Sequence, residues 1–205
     1  EYSNTAGWGD YDNDGFLDLF VKNGWQGVKD EHSLYRNNGD GTFAEINAGD
    51  MTGSNGSAFI AGFAWCDFDL DGDLDVFTCG GGGPNNHLWR NDGGGTFTDV
   101  GGFDGSTSNG CSWADYDNDG DFDLFVSNYA DGSVLEKNFL YDNNGDGTFT
   151  KNTSIIIASE ESYSMGSAWG DIDNDGDLDL FVANAYEYDT IRNFLYINKG
   201  GGTFT

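Results

Sequence analysis

The segment Trp8-Gly9-Asp10-Tyr11-Asp12-Asn13-Asp14-Gly15-Phe16-Leu17-Asp18-Leu19-Phe20-Val21 decides the reading of this chain, because it occurs four times. Its counterparts run from Trp65 to Thr78, from Trp113 to Val126 and from Trp169 to Val182. In every copy a Trp stands two residues before the first Asp, and a Phe (20, 77, 125, 181) stands ten after it. A second block follows each copy: Leu34-Tyr35-Arg36-Asn37, Leu88-Trp89-Arg90-Asn91, Leu140-Tyr141-Asp142-Asn143 and Leu195-Tyr196-Ile197-Asn198. A Gly-Thr-Phe triplet closes the unit at 41–43, 95–97, 147–149 and 202–204. Three anchors in fixed order, with the acidic segments 57, 48 and 56 residues apart, mark a repeat protein.

Each unit reads as four short strands. Small residues lead into the Trp, as in Ser164-Met165-Gly166-Ser167-Ala168, and suit a closely packed inner strand. Leu17–Val21 and its counterparts, rich in Leu, Val and Phe, form the second strand. The Leu-Tyr/Trp block forms the third. Turns such as Asn38-Gly39-Asp40-Gly41 and Asn144-Gly145-Asp146-Gly147 return the chain into a fourth strand carrying Thr-Phe. No helical periodicity competes. The predicted fold is all-β: four four-stranded antiparallel β-propeller blades in one repeat domain over 1–205, with blades near 1–50, 51–100, 101–152 and 153–205. A β-sandwich has no reason to repeat its sequence in this way.

Composition narrows the partners. The 205 residues hold 36 Asp+Glu against 8 Lys+Arg, a formal charge of −28. Such a chain repels phosphates and lacks the basic footprint of a nucleic-acid binder. No apolar run is long enough to span a membrane. Aromatics make up 16% of the chain, which excludes an acidic disordered polymer. Of 29 Asp, 19 fall in the four nine-residue windows that start at Asp10, Asp67, Asp115 and Asp171, and no Lys or Arg falls there. Like charge this dense needs a compensating cation.

The windows read D-x-D-x-D-G-x-x-D. Positions 1, 3, 5 and 9 are Asp10, Asp12, Asp14 and Asp18; Asp67, Asp69, Asp71 and Asp75; Asp115, Asp117, Asp119 and Asp123; Asp171, Asp173, Asp175 and Asp179. Alternate side chains converge when the chain curls, and Gly15, Gly72, Gly120 and Gly176 permit the curl. Position 7 (Phe16, Asp73, Asp121, Asp177) adds a backbone carbonyl. Hard oxygen donors without His or Cys select Ca2+, giving four expected sites. An EF-hand would need Glu at position 12 and flanking helices. Position 12 is Val21, Thr78, Val126 and Val182, inside strands. The loop instead joins the first and second strands of a blade.

These units resemble FG-GAP/VCBS repeats, the family of the integrin α-chain propellers and of many bacterial extracellular proteins. The resemblance covers essentially the whole chain. It implies four-stranded blades, Ca2+ in the loop between strands one and two, and a secreted or cell-surface location. Propellers of this kind usually have about seven blades, whereas four units are present. Four-bladed closure, part of a larger propeller and an assembly of several chains all fit.

Function is less legible. No nucleophile–base pair is visible, and His32 and His87 lie in different units without repeated partners. The expectation is a non-enzymatic, calcium-stabilised binding or adhesion module for a glycan or protein ligand. Two alternatives are a subunit of a self-assembling surface filament and a non-catalytic region of a polysaccharide-active enzyme. Loops Asn23–Ser33, Gly80–Asn86, Asn128–Lys137 and Asn184–Arg192 vary in composition and carry Trp25, Tyr129, Tyr186 and Tyr188. Those rings either contact a ligand or pack under their own loops. Cys66, Cys79 and Cys111 are either small buried apolar groups or one disulfide with one thiol left over. Asn55 and Asn152 begin glycosylation triplets. The chain starts a few residues before the first motif, which suggests a processed or truncated product.

Overall fold

The structure is a computed structural model that describes residues 3–24, 32–53, 61–80, 86–129, 135–185 and 192–205. It divides into two compact units, Glu1–Ser106 and Thr107–Thr205. Among the described residues the only helical turns are Gly49–Met51 and Ile156–Ala158, and no helix is long and apolar enough to cross a membrane.

The first unit holds two antiparallel meanders. Blade 1 comprises β1 (Ser3–Gly9), β2 (Asp18–Asn23), β3 (Ser33–Asn37) and β4 (Phe43–Ile46). Blade 2 comprises β5 (Phe63–Cys66), β6 (Asp75–Thr78), β7 (His87–Asn91) and β8 (Phe97–Asp99). In the second unit, blade 3 pairs β9 (Ser108–Ala114), β10 (Asp123–Asn128), β12 (Phe139–Asn143) and β13 (Phe149–Lys151). The short β11 (Glu136–Lys137) and β14 (Glu161–Ser162) pair with each other as a separate two-stranded sheet. Blade 4 has β15 (Ser164–Gly170), β16 (Asp179–Asn184) and β17 (Phe194–Tyr196). A single bridge, Asn198 to Phe204, stands for its fourth strand.

One register serves every blade. The residue after the Trp faces the ninth loop residue: Gly9 with Asp18, Cys66 with Asp75, Ala114 with Asp123, Gly170 with Asp179. Two residues further, the repeated Phe faces a small residue, Gly7, Ala64, Ser112 or Ala168. Its other neighbour is the Leu of the third strand. Cross-strand partners share a face, so Phe and Leu form one side of each blade while Trp and the third-strand aromatic form the other.

The core of each unit lies between its two blades. In the first unit Tyr11, Phe20 and Leu34 of blade 1 meet Phe63, Trp65, Val76, Trp89 and Phe97 of blade 2. Phe20 packs edge-on against Phe63 at 4.9 Å and Trp65 at 5.9 Å. The second unit repeats the arrangement, with Tyr116, Phe125 and Leu140 against Trp169, Leu180, Val182, Tyr196 and Phe204. Cys66 and Cys79 are buried, as the small-hydrophobe reading expects, and Cys111 is half-buried.

Candidate metal centre

Each acidic loop is wound by its own carboxylates. In blade 1, Asp10 Oδ1 accepts the Asp14 N–H (3.1 Å) and Oδ2 the Gly15 N–H (3.0 Å). Asp14 Oδ1 in turn accepts the Phe16 N–H (2.9 Å). The same bonds recur around Asp115 and Asp171. The position-6 glycines take φ of 90–100°, a conformation that glycine adopts without strain. That is why the sharp turn falls at Gly15, Gly72, Gly120 and Gly176.

The ninth residue ties the loop to the sheet. Asp18 is fully buried; its Oδ2 accepts the Tyr11 N–H (3.2 Å) and its Oδ1 the Asn37 N–H (2.8 Å). Asp75, Asp123 and Asp179 do the same with Phe68 and Asn91, Tyr116 and Asn143, and Ile172 and Asn198. Burial pushes the Asp75 carboxyl up to about 7 and Asp123 up to about 8, against the pull of those N–H donors.

Among the described residues four sets of three carboxylates converge, each residue offering one oxygen, with the three oxygens of a set within 4.8 Å of one another. They are Asp10, Asp12 and Asp18; Asp67, Asp69 and Asp71; Asp115, Asp117 and Asp123; and Asp171, Asp173 and Asp179. Asp14, Asp75, Asp119 and Asp175 lie outside these sets, as do the position-7 residues. The residues present suit a hard divalent cation. Asp12 Oδ1, Asp67 Oδ1 and Asp69 Oδ1 are buried without a hydrogen-bond partner, a costly state for a carboxylate oxygen unless a cation or proton meets it. Burial, followed by the charge of the next Asp, holds Asp12, Asp69 and Asp117 above the usual carboxylate range.

A family model described as an FG-GAP-like repeat matches residues 10–78, 67–126 and 115–182. The chain belongs to the FG-GAP-like repeat family. No curated protein matches it. Among solved structures it is similar over 100% of its length to a lectin from Agrocybe aegerita, described for its specific recognition of non-reducing terminal N-acetylglucosamine. The identity is 21% and the TM-score 0.58. The match covers 52% of that protein, so the chain spans about half its length.

Two features of these FG-GAP-like repeats escaped the sequence reading. The first is the Asn that ends the Leu-Tyr-x-Asn block. Its Oδ1 accepts an N–H from the glycine two residues on, in all four blades. Its Nδ2 donates to the carbonyl just before the ninth Asp, Leu17 in blade 1 and Leu74 in blade 2. In blades 2 and 4 it also reaches the preceding blade, Asn91 to the Tyr11 carbonyl (2.8 Å) and Asn198 to the Tyr116 carbonyl (2.7 Å). The strict recurrence of this Asn was the available signal.

The second is a bond between loops. Asn13 Nδ2 donates to Asp73 Oδ1 and Asn118 Nδ2 to Asp177 Oδ1, each at 2.7 Å. In blades 1 and 3 position 4 therefore holds position 7 of the following blade. Position 7 also roofs the hairpin of its own blade. A Cβ at Gly39 would lie 2.7 Å from the Phe16 ring, and one at Gly145 2.6 Å from Asp121 Oδ2.

The histidines serve blade structure. His32 Nδ1 accepts the Asn23 N–H (3.3 Å), the place taken by Asn86, Asn138 and Asn193 toward Gly80, Asn128 and Asn184. Burial pushes His32 down to about 4, which keeps it neutral and able to accept. His87 pairs with Asp99 (2.8 Å) and stacks on Trp89 at 5.3 Å. With Asn86, Gly101, Gly102, Phe103 and Asp104 this pair lines an open cleft of about 320 Å3. Tyr129 rests against Tyr163 at 5.4 Å; Trp25, Tyr186, Tyr188 and Asn55 lie outside the described residues.

Proposed function

We propose that this chain is a calcium-stabilised, extracellular binding module for a glycan or protein ligand, with no catalytic role of its own. The observation that carries the metal reading is the fourfold convergence of carboxylate oxygens, with buried Asp12, Asp67 and Asp69 oxygens that lack partners. Asp10, Asp12 and Asp18 and their counterparts would hold the ion in each blade, and Asp14, Asp75, Asp119 and Asp175 lie close enough in sequence to join them. Bound Ca2+ supplies the positive charge that offsets the carboxylate repulsion. The protein's own residues do the rest: the ninth Asp fastens the loop to the third strand, and the position-4 Asn steadies the next loop.

The glycan reading draws on the likeness to a lectin and on the blade 2 cleft. There His87, Asp99 and Asp104 offer groups suited to sugar hydroxyls beside exposed glycine backbone. Calorimetry with Ca2+, followed by a glycan array that includes terminal N-acetylglucosamine, tests both halves. The expected result is saturable Ca2+ binding and a glycan signal that is weakened in the His87→Ala protein. No heat of Ca2+ binding sinks the metal reading. A blank array with the calcium-loaded protein sinks the glycan reading alone.

A further inference from the structure

Three positions on the Phe/Leu side of a blade are covered in three of the four repeats. Tyr11, Phe20 and Leu34, then Phe68, Phe77 and Leu88, then Tyr116, Phe125 and Leu140 are all at most 3% exposed. The blade 4 counterparts Ile172, Phe181 and Leu195 are 55%, 42% and 52% exposed. The Trp side of blade 1 is open in the same way. Trp8 is 57% and Phe43 45% exposed, whereas Phe97 and Phe204, the counterparts of Phe43, are each 8% exposed. These two surfaces are the two halves of one joint, seen complete between blades 1 and 2 and between blades 3 and 4.

We propose that a second copy of this chain docks its Trp8–Phe43 face onto the Phe181–Leu195 face of the first. The internal joints show how the parts meet. Trp65 and Phe63 of blade 2 lie edge-on to Phe20, and Trp169 lies edge-on to Phe125 at 6.3 Å; Trp8 of one copy takes that place over Phe181 of the other. Asn37 matches Asn91 and Asn198, whose side-chain amides cross to the Tyr11 and Tyr116 carbonyls, so its partner is the Ile172 carbonyl. One element is missing. Asn174 would face Phe16 where the internal joints pair Asn with Asp, so this joint is more apolar than they are. The two halves differ, so the contact is heterologous and either closes a ring or propagates. Two chains of −28 each repel at low ionic strength, so association strengthens as salt screens them.

Sedimentation velocity from about 1 to 100 μM in moderate salt, with calcium present, tests the joint. The wild-type protein is expected to associate. Trp8→Asp and Phe181→Asp should each weaken association at least about tenfold, as loss of a central aromatic anchor does. Mixing the two variants leaves one good face on each partner and should restore a two-chain species that neither forms alone. All four altered side chains, including those of Phe43→Glu and Leu195→Glu as second variants, are exposed already, and circular dichroism verifies folding. A wild-type protein that stays monomeric across the range overturns the proposal. So does association that survives these substitutions, or a mixture of variants that remains monomeric.

Discussion

The proposed calcium sites imply a pH dependence that chelation exposes and that the calcium-loaded protein lacks. Asp75 and Asp123 open the second strands of blades 2 and 3, and burial holds their carboxyls near 7 and near 8. In the unfolded chain both titrate near 3.9. From about pH 4 to 8 the metal-free folded protein thus keeps protons that the unfolded chain has released, and its stability falls as pH rises. His32 works in the opposite sense. It titrates at about 4 when folded and near 6.5 when unfolded, so it costs stability only as pH drops below 6.5. Measuring between pH 6.5 and 8.5 leaves all but about 0.4 kcal/mol of it out. Integrating the two aspartate titrations over that interval gives a loss of about 3 kcal/mol, or roughly 6–12 °C in Tm for a chain of this size. With excess Ca2+ the carboxylates must be ionised to bind, so affinity rises with pH. Each filled site adds about 2.7 kcal/mol at 100 times Kd. Calorimetric melts at pH 6.5, 7.5 and 8.5, in EDTA and in calcium, should show a falling series and a flat or rising one. Equal stability of the chelated protein at pH 6.5 and 8.5 would refute the burial argument, and superimposed EDTA and calcium series would refute the metal.

Three further substitutions test the framework. Asn91→Ala removes bonds to the Tyr11 and Leu74 carbonyls and from the Gly93 N–H. In urea unfolding it should cost about 2–4 kcal/mol, against about 1 kcal/mol for Asn37→Ala, whose amide donates only to Leu17; equal losses would contradict the role given to the inter-blade bond. Leu70 holds φ 57° at an exposed site where the other loops have Asn, a conformation costing about 1–2 kcal/mol for an ordinary side chain. Leu70→Asn should raise Tm by about 2–4 °C, and an unchanged melt would show that the strain is not there.

What the sequence made legible was local and periodic. Trp two residues before the first Asp and Phe ten after it place both strands of the first hairpin, because a strand alternates faces and the loop between them has fixed length. Asp18 shows where local reasoning stops. Its spacing marks it as one more metal ligand, yet its two oxygens also hold Tyr11 and Asn37, and the second of these lies 19 residues away in another strand. Asp73 is a similar case. Read for its carbonyl, it turns out to accept from Asn13, 60 residues earlier, a distance no loop pattern encodes. His32 was unreadable for a different reason. Its role is that of Asn86, Asn138 and Asn193, and only geometry shows that a neutral imidazole nitrogen can replace an amide oxygen.

The bond from Asn13 to Asp73, with its twin from Asn118 to Asp177, bears on how such a chain can grow. Blade 1 brings the donor Asn13 without an acceptor and blade 2 the acceptor Asp73 without a donor, so copying either alone leaves its half unmatched. Copying two blades together carries a matched pair. Leu70, where a donor would stand, and Phe16, where an acceptor would stand, fall at the borders between such pairs. In the first unit the portable module is thus the doublet, and an exchange that keeps Asn13 with Asp73 keeps the bond between their loops.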